Sequence, residues 1–171
     1  MISIIMIEKN NFRHEIVPEY IEGIPTSRRK LEERYRLIQS YYENLWKVLQ
    51  REFGGNFIHN AFLDADVYIV KNESDKKTVH EAAYNWKSTY AVKHLRKVVE
   101  EAHPIDGKPL FASVKGGVQK KNGYKNMILL YYTFENDEVP YLNFTAKLTI
   151  GVTASMKHIQ YSINKIEASA K

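Results

Sequence analysis

Hydrophobic and polar residues alternate along two segments near the C-terminal end of the chain. In residues 142–151, apolar side chains at every second position alternate with Asn143, Thr145, Lys147 and Thr149. In residues 158–166, Ile159, Tyr161 and Ile163 alternate with His158, Gln160, Ser162 and Asn164. Since successive side chains of a strand point to opposite faces, both segments are predicted β-strands with one apolar and one polar face. The polar faces present hydroxyls, amides, a lysine and a histidine, which suits a polar ligand. A merely polar sheet face is the alternative.

The remaining pattern predicts helices first and further strands later. Apolar residues recur at helical spacing over residues 28–53, after a capping Thr26 or Ser27, and again over about 90–102, which Ser88 or Thr89 could cap. Short strands are predicted at residues 2–7 and 67–70, and a surface loop at 71–77. Residues 124–134 are apolar on both faces, which indicates a central strand.

This order predicts one α+β domain over residues 1–171. An arm (1–26) and a helix (27–55) precede a core (56–171). The fold expected is N-terminal helices packed on a C-terminal antiparallel sheet of about four strands.

Composition narrows the function classes. The 171 residues carry a formal net charge of +5 and include no cysteine, so disulfides and thiolate metal sites are excluded. The six histidines show no metal-ligand spacing, and there is no phosphate-loop or dinucleotide motif, so neither a metal nor a cofactor is expected. No apolar run is long enough for a membrane span and no signal peptide is visible, which favours a cytoplasmic protein without a membrane partner.

Candidate acid–base and anion-binding groups can nevertheless be chosen. The proposed catalytic residues are His80 as acid or base, Lys147 to stabilise an oxyanion, Thr149 to bind a phosphate oxygen and Tyr161 as acid or stacking platform. Residues 107–134 carry lysines and no acid. The proposed substrate-binding residues are Lys77, Ser88, Lys115, Lys120, Lys121, Lys125, His158 and Ser162. A surface or capping role for His80, and an ordinary solvent-facing role for Lys147, are the alternatives.

These groups suit RNA cleavage without a metal ion. Such a reaction needs a base for the ribose 2′-hydroxyl, an acid for the leaving 5′-oxygen and cations for the charged intermediate. The 2′-hydroxyl would exclude DNA as a substrate.

Three stretches resemble a known group of nucleases. The first runs from residues 66–69 to residues 77–80, and the second from residues 88–95 to residues 101–102. The third consists of residues 144–151 together with residues 161–163. Their pattern is similar to the barnase–EndoU–colicin E5/D–RelE superfamily, in the version carried by polyvalent proteins of phages and mobile elements. The resemblance implies helices on a four-stranded antiparallel sheet, with a metal-independent ribonuclease site on the open face of the sheet. This chain departs from the RelE-type pattern in one respect, because no arginine stands out in its C-terminal sheet.

The leading hypothesis is therefore a metal-independent endoribonuclease-like effector from a phage or mobile element, acting in the host cytoplasm on an RNA such as tRNA. The sequence leaves open whether the chain is an enzyme. The alternative is a non-catalytic phage-encoded protein that inhibits a host defence nucleoprotein complex, and a third possibility is a virion-associated structural protein. The oligomeric state is not predicted.

Overall fold

The computed structural model describes residues 17–135 and 142–166 of the chain. It confirms the α+β class, but the main sheet has six strands rather than about four. The predicted strand at residues 2–7 lies outside the described residues. None of the helices in the described part is long and apolar enough to span a membrane.

The longest helix agrees closely with its predicted bounds. A 3₁₀ turn, Arg28–Lys30, leads into helix α1, Leu31–Phe53. The Ser27 hydroxyl accepts a hydrogen bond from the Arg29 backbone N–H, which satisfies one of the free donors at the start of the turn. Gly54 ends α1 in the left-handed conformation, with φ of 69°, where a residue without Cβ is favoured.

The other helices differ from the prediction. They are α2, Ser74–Ala82; α3, Trp86–Lys93; α4, Leu95–Glu101; and the short α5, Val118–Lys121. The predicted loop at 71–77 is wrong in its second half, because α2 begins there. The helix predicted over 90–102 is two helices that meet at His94, and Asn85, rather than Ser88 or Thr89, caps the first of them. A polar stretch can start a helix when its buried positions, here Thr78 and Val79, pack on the core.

The strands form a two-stranded ribbon and a six-stranded sheet. The ribbon pairs β1, Tyr20–Ile21, with β2, Ile24–Pro25. The six-stranded sheet contains β3, Phe57–Asn60; β4, Ala65–Tyr68; β5, Phe111–Ala112; β6, Tyr124–Phe134; β7, Phe144–Thr153; and β8, His158–Ile166. Their order across the sheet is β3-β4-β8-β7-β6-β5. All neighbours are antiparallel except β4 and β8, which are parallel, so the predicted purely antiparallel sheet is corrected to a mixed one.

The two faces of the sheet have different environments. Helices α1–α4 contribute to the main core on one face, where Leu148, Ile150 and Ile163 are fully buried. The alternation predicted for β7 is confirmed, since Lys147 and Thr149 point away from this core and line a cleft on the opposite face. We call this opposite side the open face.

A β-bulge changes the pattern in β8. The register with β7 shifts between Thr149 and Ile150, so Ser162 pairs with Thr149 while Gln160 pairs with Ile150. One extra residue, Tyr161, lies between those pairs. Because an extra residue reverses which side chains share a face, Tyr161 joins Ser162 on the open face, and Gln160 is buried on the helix side. The predicted alternation of β8 is therefore wrong at these positions.

Helices α2 and α3 flank β8 where β4 ends. The parallel ladder with β4 extends over only His158 and Ile159, although β8 continues to Ile166. Further along, the Lys165 backbone N–H donates to the Ser88 hydroxyl of α3 at 2.8 Å. This arrangement places one side of α2 at the border of the open face.

Candidate anion-binding cleft

A cleft of about 360 Å³ lies on the open face, between α2 and the segment that carries α5. Strands β6, β7 and β8 form its floor. Its cations are Lys77, Lys115 and Lys147, and its one carboxylate is Glu81. The other lining residues are Ala112, Ser113, Gly116, Val118, Gln119, Met127, Leu129, Thr149, Tyr161, Ser162 and Asn164.

The floor is built by pairs of residues across β7 and β8. Lys147 is opposite Asn164, and Thr149 is opposite Ser162. Paired residues of neighbouring strands share a face, so an ammonium, an amide and two hydroxyls lie together. The Oδ1 atom of Asn164 is buried and has no hydrogen-bond partner among the described residues.

Helix α2 supplies one wall of the cleft. Lys77 and Glu81 are four residues apart, so they lie on the same side of the helix, and their charged atoms are 3.4 Å apart. The Lys77 ammonium also lies 6.0 Å from the ring centroid of Tyr161. The wall therefore brings a cation and a carboxylate to the same edge of the floor.

The opposite wall follows the edge strand β5. The backbone N–H of Lys115 donates to the Gln119 side chain at 2.7 Å, which ties the loop to α5. Gly117, with φ of 75°, is the N-cap residue that precedes α5. On this wall Lys115 lines the cleft. Three other predicted binding residues are exposed and do not line the cleft: Lys120 and Lys121 on α5, and Lys125 on β6.

A buried tyrosine supports the floor from one end. The Tyr124 ring packs edge-on against Tyr161 at 5.8 Å, and its hydroxyl donates to the Glu73 carboxylate at 3.0 Å. Burial, together with the negative charge of Glu73, raises the pKa of Tyr124 above its usual value. Tyr124 therefore stays neutral and acts as a structural support for Tyr161.

His80 does not join the other predicted catalytic residues. It is exposed on α2, where its Nδ1 lies 2.6 Å from the hydroxyl of Tyr35 on α1, and it does not line the cleft. Lys77 and Glu81 face the cleft, but His80 is rotated toward α1 on the same helix. The structure thus brings Lys147, Thr149 and Tyr161 together and leaves His80 outside.

Two predicted binding residues have other environments. Ser88 is 2% exposed, and its hydroxyl accepts the backbone hydrogen bond at the edge of β8 described above. His158 is paired with Val152 and Val67, both core residues of the helix side, so it shares their face rather than that of the cleft. Of the predicted binding residues, Lys77, Lys115 and Ser162 line the cleft.

Glu81 and Asn164 line the cleft but were not among the predicted residues. Glu81 could have been found by recognising α2, because it lies one helical turn after Lys77. Asn164 shares its predicted face with Ser162, so the alternation already placed the two together. No group of three potential metal ligands occurs among residues 17–135 and 142–166.

A larger cavity, of about 650 Å³, lies between α1 and the α3–α4 region, but its chemistry differs. Two of its three cations are already paired, and two carboxylates, Glu100 and Glu101, also line it. Lys93 contacts Glu22 at 3.2 Å, and Arg96 contacts Glu52 at 2.8 Å. The smaller cleft on the open face is therefore the better candidate for binding an anion.

Comparisons with protein-family models, with curated proteins and with solved structures found no match to this chain. The resemblance to the nuclease superfamily stays a prediction.

Proposed function

We propose that the cleft binds the phosphate backbone of RNA and that the protein cleaves the bound strand without a metal ion. The observation that carries this proposal is the meeting of Lys77, Lys115 and Lys147 around a floor of hydroxyl and amide groups. Ammonium groups attract phosphate, and hydroxyl and amide N–H groups donate hydrogen bonds to its oxygens.

Each step of the cleavage has a candidate group in the cleft. Glu81 replaces His80 as the base that takes the proton of the ribose 2′-hydroxyl. The resulting oxygen attacks the adjacent phosphorus, and Lys147 stabilises the negative charge that develops on the phosphate oxygens. The bond from phosphorus to the 5′-oxygen breaks, and Tyr161 donates a proton to that oxygen. The products are a 2′,3′-cyclic phosphate and a free 5′-hydroxyl. Tyr161 then regains a proton from solvent, and Glu81 releases to solvent the proton that it took.

The first test is incubation of the purified protein with total RNA in the presence of EDTA. We expect fragments with cyclic phosphate ends. Lys147→Ala should slow cleavage about 10²–10³-fold, the range found when one preorganised group is removed from a charged transition state. Lys120→Ala is the matched control, since that lysine is exposed and outside the cleft, and His80→Ala should also cleave like the wild type.

The outcome that contradicts cleavage is intact RNA with a folded wild-type protein. A second outcome contradicts the site: fragments appear, but Lys147→Ala and Lys120→Ala produce them at the same rate. Far-ultraviolet circular dichroism of each variant separates loss of activity from loss of fold.

A second candidate function is binding without turnover, as in an inhibitor of a nucleoprotein complex. Two observations favour it: the carboxylate of Glu81 is already paired with Lys77 at 3.4 Å, and His80 lies outside the cleft. The Glu81 carboxylate then contacts the Lys77 ammonium rather than a ribose hydroxyl. In this case RNA or a host protein complex would bind stoichiometrically, Lys147→Ala would weaken that binding, and no fragments would form. The resemblance to phage and mobile-element domains supports a host-cell setting for either function.

A further inference from the structure

A second cation-rich pocket, of about 490 Å³, lies beside the C-terminal half of α1. It shares no lining residue with the cleft. Its walls contain three cationic side chains, two amides and one indole, and no carboxylate. The lining residues are Trp46, Lys47, Gln50, Arg51, Asn56 and Lys71.

The cations of this pocket are held close together. Lys47 and Arg51 are four residues apart on α1, a spacing at which like charges repel. The Lys71 ammonium lies 4.9 Å from the ring centroid of Trp46, within cation–π range. That ring is fixed because its Nε1 donates to the Ile69 carbonyl at 2.8 Å. The fold therefore concentrates positive charge at this position.

Of the four carboxylates within four residues of these cations along the chain, Glu43 is exposed one helical turn before Lys47, and the other three are engaged elsewhere. Glu52 accepts two hydrogen bonds from Arg96, at 2.8 and 3.1 Å. Glu73 accepts the Tyr124 hydroxyl at 3.0 Å, and Asp75 accepts the Asn72 backbone N–H at 2.7 Å. Within the described part of the chain, Lys47, Arg51 and Lys71 form no ion pair. The charge of the pocket is thus available to an external anion.

We propose that this pocket binds backbone phosphates of the RNA strand that also occupies the cleft. Lys71 directly follows Val70, which packs against the cluster that contains Tyr161, a lining residue of the cleft. The cleft and the pocket are thus linked through consecutive residues after β4, and one flexible polyanion is proposed to span both. This inference rests on the proposed function and adds that the ligand is a single strand of several nucleotides, longer than the cleft alone can hold.

The test compares RNA ligands of two lengths by fluorescence anisotropy. A labelled 12-nucleotide 2′-O-methyl oligouridylate, which lacks the attacking hydroxyl and cannot be cleaved, can reach both sites, whereas a 2′-O-methyl uridine dinucleotide reaches one. The combined variant Arg51→Ala/Lys71→Ala removes two cations of the pocket. Arg28→Ala/Lys30→Ala is the matched control, because it removes the same charge from exposed residues of the 3₁₀ turn.

The expected loss follows from counterion release. A single strand contributes a slope of about −0.7 in log K against log salt per phosphate contact, which is about five-fold per contact between 1 M and 0.1 M salt. The pocket variant should bind the 12-mer about 25-fold more weakly at 0.1 M salt, with a slope that is smaller by about 1.4. Its affinity for the dinucleotide, and that of the control variant for both RNAs, should change less than two-fold.

Different results identify which idea has failed. Equal weakening of the 12-mer by the pocket and control variants overturns the pocket, since net charge alone would explain it. If inorganic phosphate titrates backbone amide signals of the pocket while 12-mer binding is insensitive to Arg51→Ala/Lys71→Ala, the pocket serves a small phosphate ligand and the RNA inference is wrong. If Lys147→Ala weakens 12-mer binding and the pocket variant does not, only this inference fails. If Lys147→Ala has no effect, the cleft proposal fails.

Discussion

Replacement of Gly151 by alanine should destabilise the protein through one identifiable contact. Gly151 lies in β7 directly under the Tyr124 ring, and an added Cβ would be 2.6 Å from two ring carbons. An ordinary carbon–carbon contact is about 3.5 Å, so the ring would have to move by nearly 1 Å. It cannot do so freely, because it packs against Tyr161 and is hydrogen-bonded to Glu73.

The size of the effect is a difference of two terms. Overpacking a core costs about 1–3 kcal/mol. Where the backbone conformation is compatible, replacing glycine by alanine recovers about 0.4–1 kcal/mol, because the unfolded chain loses conformational freedom. We therefore expect Gly151→Ala to lower the free energy of unfolding by about 1–2 kcal/mol, measured by urea denaturation with an unchanged m value.

A double-mutant cycle isolates the contact. Tyr124→Val removes every ring atom that meets the new Cβ and keeps a side chain suited to a strand. In that background, Gly151→Ala should be neutral or slightly stabilising, so the sign of its effect reverses. If the alanine costs the same free energy with and without the ring, the steric explanation is refuted.

Three other perturbations test separate parts of the structure. Arg34→Met should lower the free energy of unfolding by about 3 kcal/mol in urea denaturation, because the buried guanidinium donates to three backbone carbonyls that would lose their partner, whereas exposed Arg29→Met should have little effect. Gln160→Leu should cost about 1–3 kcal/mol by the same measurement, since its amide joins two buried hydroxyl groups on α1 and α2. His59 hydrogen-bonds two aspartates, which raises its pKa above 6.5. Its protonated form therefore stabilises the fold below pH 6.5, this contribution is lost as the pH rises through the higher folded-state pKa, and His59→Gln should flatten that part of a melting-temperature profile.

Sequence periodicity predicted the long elements well and the short ones poorly. Helix α1 and strands β6 and β8 were located within a few residues, because long stretches repeat their pattern often enough to be read. Strands β3 and β5 are four and two residues long, so their formation depends on neighbouring strands rather than on their own pattern. This is why the six-stranded sheet was underestimated.

The candidate site was predicted in part for similar reasons. Lys147 and Thr149 follow a regular alternation, and the cleft contains both. His80 was placed beside a loop, but it lies within α2, whose orientation on the core directs it to α1. The bulge in β8 could not be predicted either, because one extra residue in a strand produces no recognisable pattern in the sequence.

The position of β8 has a consequence for how the protein is made. The strand nearest the C-terminal end of the described chain lies between β4 and β7, in the interior of the sheet. During synthesis from the N-terminal end, both neighbours emerge from the ribosome before their shared partner does. The sheet therefore cannot close until β8 has emerged, and the cleft, whose floor includes Ser162 and Asn164, is incomplete until then.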